Sequence, residues 1–307
     1  MSMGNGARGA RLPGHAQRIL ATYDVVAAAL VGREEQLQSV LAVLAAGRNL
    51  LLEGPPGTGK STLLRAVADH SALSLSFVEG NAEMTPQKMI GYHDPSAVLA
   101  HGYRDEDFVM GPLPRAMHDG GLLYVEEFNR LPEDTLNTLL TAMAERELHI
   151  PRYGLVTAKD TFRIVAAMNP FDNVGTTRVS ASVYDRLCRM VVDYQSEAEE
   201  LEIVGLRAEP DVNDVLTLAV RVVRESRTHP QVRFGSSVRG AIDFVTVEKS
   251  LRQLTGAEPL SRSHLDKVGE LALSSKIAVD EVWNRRAEDV IRQLIHSTAA
   301  ALGLRLL

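Results

Sequence analysis

Gly54-Pro55-Pro56-Gly57-Thr58-Gly59-Lys60-Ser61 fills the pattern G-x-x-x-x-G-K-[ST] at every fixed position. The apolar run Leu50-Leu51-Leu52 before it suits a buried strand, and Leu63, Leu64, Val67 and Ala68 after it recur at helical spacing. A strand, a glycine turn and a helix start together aim backbone N–H groups and the positive end of a helix dipole at one point, which is a site for an anion. Gly54, Gly57 and Gly59 permit backbone angles and close approaches that a Cβ would forbid. Lys60 is placed to reach the β- and γ-phosphates of a nucleotide, and the Ser61 hydroxyl to ligate Mg²⁺. Pro55, Pro56, Thr58 and Thr62 complete the loop and first helical residues expected around the phosphates. The expected ligand is a nucleoside triphosphate.

Moving outward, Gly121-Leu122-Leu123-Tyr124-Val125 reads as a second buried strand, ended by Glu126-Glu127. Two adjacent carboxylates at such a strand end would lie beside the phosphate loop at the ligand edge of a parallel sheet. Alternation along the strand turns them to different sides, so that Glu126 can face a Mg²⁺ shell while Glu127 polarises an attacking water. The bland alternative is a strand reaching solvent. A third strand, Phe162 to Met168, closes on Asn169-Pro170; Pro170 disfavours helix at the preceding residue and leaves Asn169 at the strand tip, within reach of a γ-phosphate. Between them an amphipathic helix carries Leu136, Leu139, Leu140, Met143 and Ala144 on one face, read as core.

Composition sets bounds on partners and compartment. The chain has 307 residues, 45% of them hydrophobic, with 33 Lys and Arg against 39 Asp and Glu and a formal charge of −6. That suffices for two domains, and the acidic balance with no basic block counts against a general grip on nucleic acid. A single cysteine, Cys188, excludes an intramolecular disulfide and fits a reducing cytoplasm. It reads as a small buried hydrophobe. No H-x-x-x-H or C-x-x-C spacing suggests a structural metal, and no run approaches the roughly 18 apolar residues that span a bilayer. Residues 1–17 lack the apolar segment of a signal peptide and read as a flexible tail.

The order of motifs resembles the AAA+ superfamily and, within it, the MoxR-type ATPases. The resemblance rests on Val31-Gly32-Arg33-Glu34, Gly54 to Ser61, Gly111-Pro112-Leu113, Val125-Glu126-Glu127-Phe128-Asn129-Arg130, Asn169-Pro170, Tyr184-Asp185-Arg186-Leu187 and Gly235-Ser236-Ser237-Val238-Arg239. These run in the family's order over about residues 20 to 290. Asp193-Tyr194 followed by Glu202-Ile203-Val204 is also similar to CbbQ and NorQ relatives.

The resemblance implies a role at each matching position. Val31 and Gly32 would line an adenine pocket, Lys60 and Ser61 would take phosphates and Mg²⁺, and Glu127 would be the catalytic base. Asn169 corresponds to sensor 1, Arg186 to an arginine finger acting on the neighbouring subunit's site, and Arg239 to sensor 2 on a helical lid. Arg178 is the competing finger. Arg239 falls in the first turn of a helix after Ser236 and Ser237, where a cation opposes the dipole unless an anion is near. Residues 92–110 correspond to the helix-2 insert. One departure stands out: the family usually has Asp-Glu where this chain has Glu126-Glu127, which puts the hydrolysis rate in question.

The expected fold is therefore α/β, a parallel sheet between helical layers over 18–195, then a linker at 196–212 and a small all-α lid over 213–307, with helices near 214–227, 237–250, 263–275 and 279–301. The expected activity is Mg²⁺-dependent ATP hydrolysis by a ring, six subunits being the family's usual number. Such a ring acts chaperone-like on a partner protein; a von Willebrand factor A domain protein or a metalloenzyme is the family's usual client. A DNA-acting AAA+ motor and an ATP-gated assembly switch with little hydrolysis are the alternatives.

Overall fold

The structure is a computed structural model that describes residues 13–170, 176–177 and 179–307. Its described residues fall into two units: one runs to Pro55 and from Gly59 to Val192, and the other joins Pro56–Thr58 with Asp193–Leu307.

The first unit begins with α1 (Gly14–Leu20), α2 (Tyr23–Ala27) and α3 (Glu34–Ala45), then β1 (Asn49–Glu53), the phosphate loop and α4 (Lys60–Ser71). There follow β2 (Leu75–Glu79), α5 (Pro86–Ile90), β3 (Gly91–His93), α6 (Pro95–His101), β4 (Phe108–Met110), α7 (Pro112–Asp119) and β5 (Leu122–Glu126). The unit closes with α8 (Glu133–Glu145), β6 (Glu147–Ile150), β7 (Gly154–Thr157), β8 (Arg163–Met168), α9 (Ala181–Tyr184) and β9 (Leu187–Val191).

Five strands form one parallel sheet in the order β2-β5-β8-β1-β9. The central strands are apolar without interruption because both of their faces are covered. Leu51, Leu123, Val125, Ile164 and Ala166 point to one side, where they pack with Met89, Leu113, Met117, Leu136 and Leu139. Their neighbours Leu50, Leu52, Leu122, Tyr124, Val165 and Ala167 point to the other, against Leu37, Leu41, Leu63, Leu64 and Val67. Each fully buried leucine contributes about 1.5–3 kcal/mol relative to exposure, so this double layer fixes the strand register and with it the strand ends. All strands run the same way, so Glu53, Glu79, Glu126 and Met168 end at one edge.

Two smaller pairings decorate the sheet. The antiparallel strands β3 and β4, with α6 between them, occupy the stretch expected as an insert; Asp94 caps α6 by accepting from the Ser96 and Ala97 N–H groups. Strands β6 and β7 form a hairpin that no motif announced, turning at Arg152, whose φ is 65°.

The second unit comprises α10 (Glu197–Ala208), α11 (Asn213–Ser226), β10 (Val232–Phe234), α12 (Val238–Thr255), α13 (Arg262–Leu273), β11 (Ala278–Val279) and α14 (Ala287–Ala301). Val215, Leu218, Val222, Phe244, Val245, Leu265, Val268, Ile291 and Ile295 form its core. Buried Glu200 accepts from Arg224 Nη1 and Arg227 Nη2, each at 2.8 Å.

Several boundaries differ from expectation. Residues 14–17 belong to α1 rather than to a tail, because Ala16 and Ile19 lie one turn apart and bury against α3. Most of the expected linker 196–212 is α10. Ser196 accepts from the Glu199 N–H, Glu199 returns the bond through Oε2, and Val204 and Ala208 face the core. The expected helix 279–301 starts only at Ala287, because Val279 pairs with Val232 and Asn284 adopts a φ of 44°. The second unit, expected to be all-α, thus also carries one short antiparallel pair, β10 with β11.

Candidate functional site

The loop between β1 and α4 closes on itself. Gly57 and Gly59 have φ of 76° and 81°, the left-handed region open to glycine, and Gly59 is the residue from which α4 starts. At Gly54 the requirement is space: a Cβ would lie 2.0 Å from the Val192 carbonyl oxygen. Lys60 is buried, and its Nζ donates to the Gly54 and Pro55 carbonyls at 2.8 Å each. The ammonium is thus drawn into the concave side of the loop, where it can exchange those carbonyls for phosphate oxygens.

Ser61, the next residue of α4, donates to Glu126 Oε1 at 2.8 Å and lies 3.1 Å from the Tyr124 hydroxyl. Tyr124 is fully buried; burial first, then the Glu126 charge, raise its pKa far above the ordinary tyrosine value, while the Ser61 hydrogen bond acts in the opposite sense. A hydroxyl and a carboxylate at this spacing fit Mg²⁺, whose ligands at about 2.1 Å sit about 3 Å apart when adjacent on an octahedron. Among the described residues no group of three His, Cys, Asp or Glu forms a cage for a metal ion.

The backbone treats the two glutamates differently. Glu126 continues β5, whereas Glu127 takes a left-handed φ of 52°, rare for a residue with a Cβ. Gly80 permits this turn, since a Cβ there would lie 2.3 Å from the Glu127 carbonyl oxygen. Glu127 Oε2 lies 3.2 Å from Arg130 Nε, an ion pair without hydrogen-bond alignment. Asn129 is buried, donates through Nδ2 to the Asn169 carbonyl at 3.3 Å, and accepts the Thr177 N–H at 2.6 Å through its backbone carbonyl. The sheet therefore brings Lys60, Ser61, Glu126, Glu127 and Asn169 to one edge.

Of the remaining expected residues, Arg239 stands beside the phosphate loop, its Cδ 3.9 Å from where a Cβ on Gly57 would lie, both within the second unit. Val31 and Gly32 occupy the half-buried turn before α3, with Gly32 at φ 61°. Arg186 is exposed beyond α9, its Nη1 donating to the Ser182 carbonyl at 2.9 Å. Arg178, the competing finger, lies outside the described residues. In the second unit Arg239 is exposed in the first turn of α12, where Ser237 holds the cap position without a side-chain capping bond. Thr62 is exposed on α4. Cys188 is exposed rather than buried, because Leu187 takes the inward position at the start of β9.

Motif reading missed two contacts here. The Glu127–Arg130 pair spans three residues within a quoted motif, but it requires the left-handed turn that no pattern signals. Glu53 carries its signal as an acidic residue closing an apolar run, and in the fold it is buried against Arg189.

Residues 49–187 match the family described as AAA domain, dynein-related subfamily. The chain is 31% identical over 197 residues to the denitrification regulatory protein NirQ of Stutzerimonas stutzeri, covering 63% of this chain and 67% of that one. It is 26% identical over 248 residues to the gas vesicle ATPase GvpN of Haloferax mediterranei, covering 76% and 69%. Among solved structures, the RuvB Holliday junction branch migration motor of Thermotoga maritima superposes with a TM-score of 0.53 at 18% identity, over 90% of this chain and 83% of that one. That likeness is one of fold. No described helix is long and apolar enough to cross a membrane.

Proposed function

The chain belongs to the MoxR-type AAA+ ATPases, and from that premise we propose that it hydrolyses Mg²⁺-ATP in a ring, at sites completed by the neighbouring protomer, to remodel or activate a partner protein. The observation that carries the reading is the Ser61–Glu126 bond at 2.8 Å beside a Lys60 ammonium folded into its own loop.

Each residue then has a task. Val31 and Gly32 would hold the adenine, and the loop from Gly54 to Thr62 the phosphates. Lys60 would trade its two carbonyl partners for β- and γ-oxygens. Ser61 and Glu126 would hold Mg²⁺, which when bound neutralises charge on the phosphate oxygens. Glu127, once released from Arg130, would orient and deprotonate water, with Asn169 at the γ-phosphate. Arg186 would enter the next protomer's site, where a guanidinium in trans is worth on the order of 10³ to 10⁵ in rate. Arg239 would sense the nucleotide from the helical unit, converting turnover into domain movement.

The client is assigned by family likeness: a von Willebrand factor A domain protein or a metalloenzyme awaiting its cofactor. The relatives' names, a denitrification regulator and a gas vesicle ATPase, support one motor serving different clients. We place the ring, of six subunits by family habit, in the cytoplasm, a reading supported by the single unpaired cysteine. The acidic balance disfavours a DNA-acting motor.

Glu127→Gln tests the proposal: ATP binding persists while turnover collapses, and unchanged turnover refutes it. Arg186→Ala should also abolish turnover, and mixing it with Glu127→Gln should restore part of it, because mixed interfaces pair an intact site with an intact finger. The Glu127–Arg130 pair supports a second reading, an ATP-gated switch that barely hydrolyses. Steady-state phosphate release, with and without candidate partners, separates the two.

A further inference from the structure

Glu53 ends β1 one residue before the phosphate loop and is only 3% exposed. Arg189 of β9 grips its Oε2 with Nε at 2.7 Å and Nη2 at 2.6 Å. Tyr184 neighbours the same carboxylate: burial first and then the Glu53 charge raise the tyrosine pKa. The main chain repeats the link, since the Val192 N–H donates to the Glu53 carbonyl at 2.7 Å. On its other side, Glu53 is bonded covalently to Gly54, whose carbonyl takes Lys60 Nζ.

Taking a carboxylate out of water costs several kcal/mol, and an ion pair offsets that only with close geometry and further hydrogen bonds. An apolar residue would end a buried strand with no such cost. The contacts that Glu53 makes fall on both sides of Arg186, two residues after Tyr184 and three before Arg189. Among the described residues the Arg186 side chain bonds locally, to the Ser182 carbonyl, and it projects from an exposed turn. Where that guanidinium stands is therefore set by the ends of its turn, one tied to Glu53 through Arg189 and the other beside it at Tyr184.

We propose that Glu53 is a positioning residue for Arg186: through Tyr184 and Arg189 it holds the finger's turn to the strand that carries the phosphate loop. A protomer's own loop, on engaging phosphate, thereby governs how its finger enters the neighbour's site. This rests on the reading of Arg186 as a finger acting in trans. Misplacing a reacting group by about 1 Å costs on the order of 10²-fold in rate, so small shifts of the turn suffice.

The bland role for the same contacts is to pin β9 to the sheet edge or to shape the protomer's own loop. Mixed rings of full-length chains separate these, with ATP hydrolysis as the readout and Glu53→Gln as the near-isosteric variant. Rings of Glu53→Gln alone should lose most of their turnover while ATP affinity stays within a few-fold. Mixed with Glu127→Gln, which has a dead site but an intact finger, they should recover up to about a quarter of the wild-type rate, the share of correctly paired interfaces on random assembly. Mixed with Arg186→Ala, which has an intact site but no finger, they should stay inactive.

The reverse pattern, rescue by Arg186→Ala and not by Glu127→Gln, overturns the proposal and assigns Glu53 to its own loop. Full activity of Glu53→Gln alone, or rescue by both partners or by neither, overturns it as well. Tyr184→Phe and Arg189→Lys should show the same pairing preference more mildly, which keeps the test decisive if Glu53→Gln does not assemble. The pair Arg186→Ala with Glu127→Gln is the control: without rescue there, the shared-site reading itself falls, and the positioning role falls with it.

Discussion

The Ser61 hydroxyl donates to Glu126 Oε1 at 2.8 Å, joining residues 65 apart in the chain. The chain has glutamate where its family usually has aspartate, and this contact shows that the extra methylene still delivers the carboxylate to the loop serine. Glu126→Asp should therefore not restore a better site but withdraw the carboxylate from Ser61. Its turnover should fall about tenfold, a loss of the size expected for one charge-assisted hydrogen bond. Phosphate release titrated with Mg²⁺ checks this: the Mg²⁺ demand should rise while ATP affinity changes little, and a faster Glu126→Asp enzyme would contradict the assignment.

Lys60 holds two carbonyls of its own loop, so it is already placed when a triphosphate arrives. Lys60→Met keeps the buried stem and removes the charge. ATP affinity should fall on the order of 10²-fold, from the loss of charge-assisted bonds worth about 1.5–3 kcal/mol each. Titration with a fluorescent ATP analogue measures it.

How much of this was legible in the sequence depended on the range of the interaction. The phosphate loop is local: its glycines and the helix after it are encoded within a dozen residues, and α4 begins at Lys60. The central strands were legible because burial on both faces demands unbroken apolar runs. The capping box at Ser196 and Glu199 was also there to be read, yet the charged stretch after it looked like a linker. Helix α10 puts Glu200 on its inner face against two arginines of α11 and its end, so periodicity of apolar residues alone understated the helix. The β10–β11 pairing was invisible because strands of three and two residues, more than 40 positions apart, carry no periodicity. The Glu53–Arg189 and Glu127–Arg130 pairs needed the sheet order and a left-handed turn, respectively, both products of tertiary packing.

Glu200 offers a test of the second unit. Its carboxylate is 2% exposed and is shared by Arg224 and Arg227, and the Arg227 guanidinium also stacks 3.8 Å from the Tyr194 ring centroid. Glu200→Ala leaves two cations facing each other without their anion. Breaking a buried pair in this way costs about 3–5 kcal/mol. Hydrogen exchange should show lost protection in α10 and α11, with the sheet of the first unit retaining its own; equal loss in both units would contradict an independently packed helical core.

Tyr124 ties alkaline stability to the nucleotide edge of the sheet. Its pKa is raised, by burial first and by the Glu126 charge, above an ordinary value of 10.0. Above that value the unfolded chain has lost the phenolic proton while the folded chain still holds it. The folded state then binds more protons, and stability must fall as pH rises. The contribution is fully present below pH 10 and is lost progressively above it. Arg163 works in the opposite sense, since burial lowers its pKa to about 10 and the neutral form is then favoured by folding as pH rises. Comparing wild type with Tyr124→Phe cancels the Arg163 effect, which both proteins share. Denaturant melts from pH 8 to 11 should give a steeper decline for wild type than for Tyr124→Phe. Parallel slopes would mean that the phenol titrates normally, as it could only if water reached the space between Ser61 and Glu126.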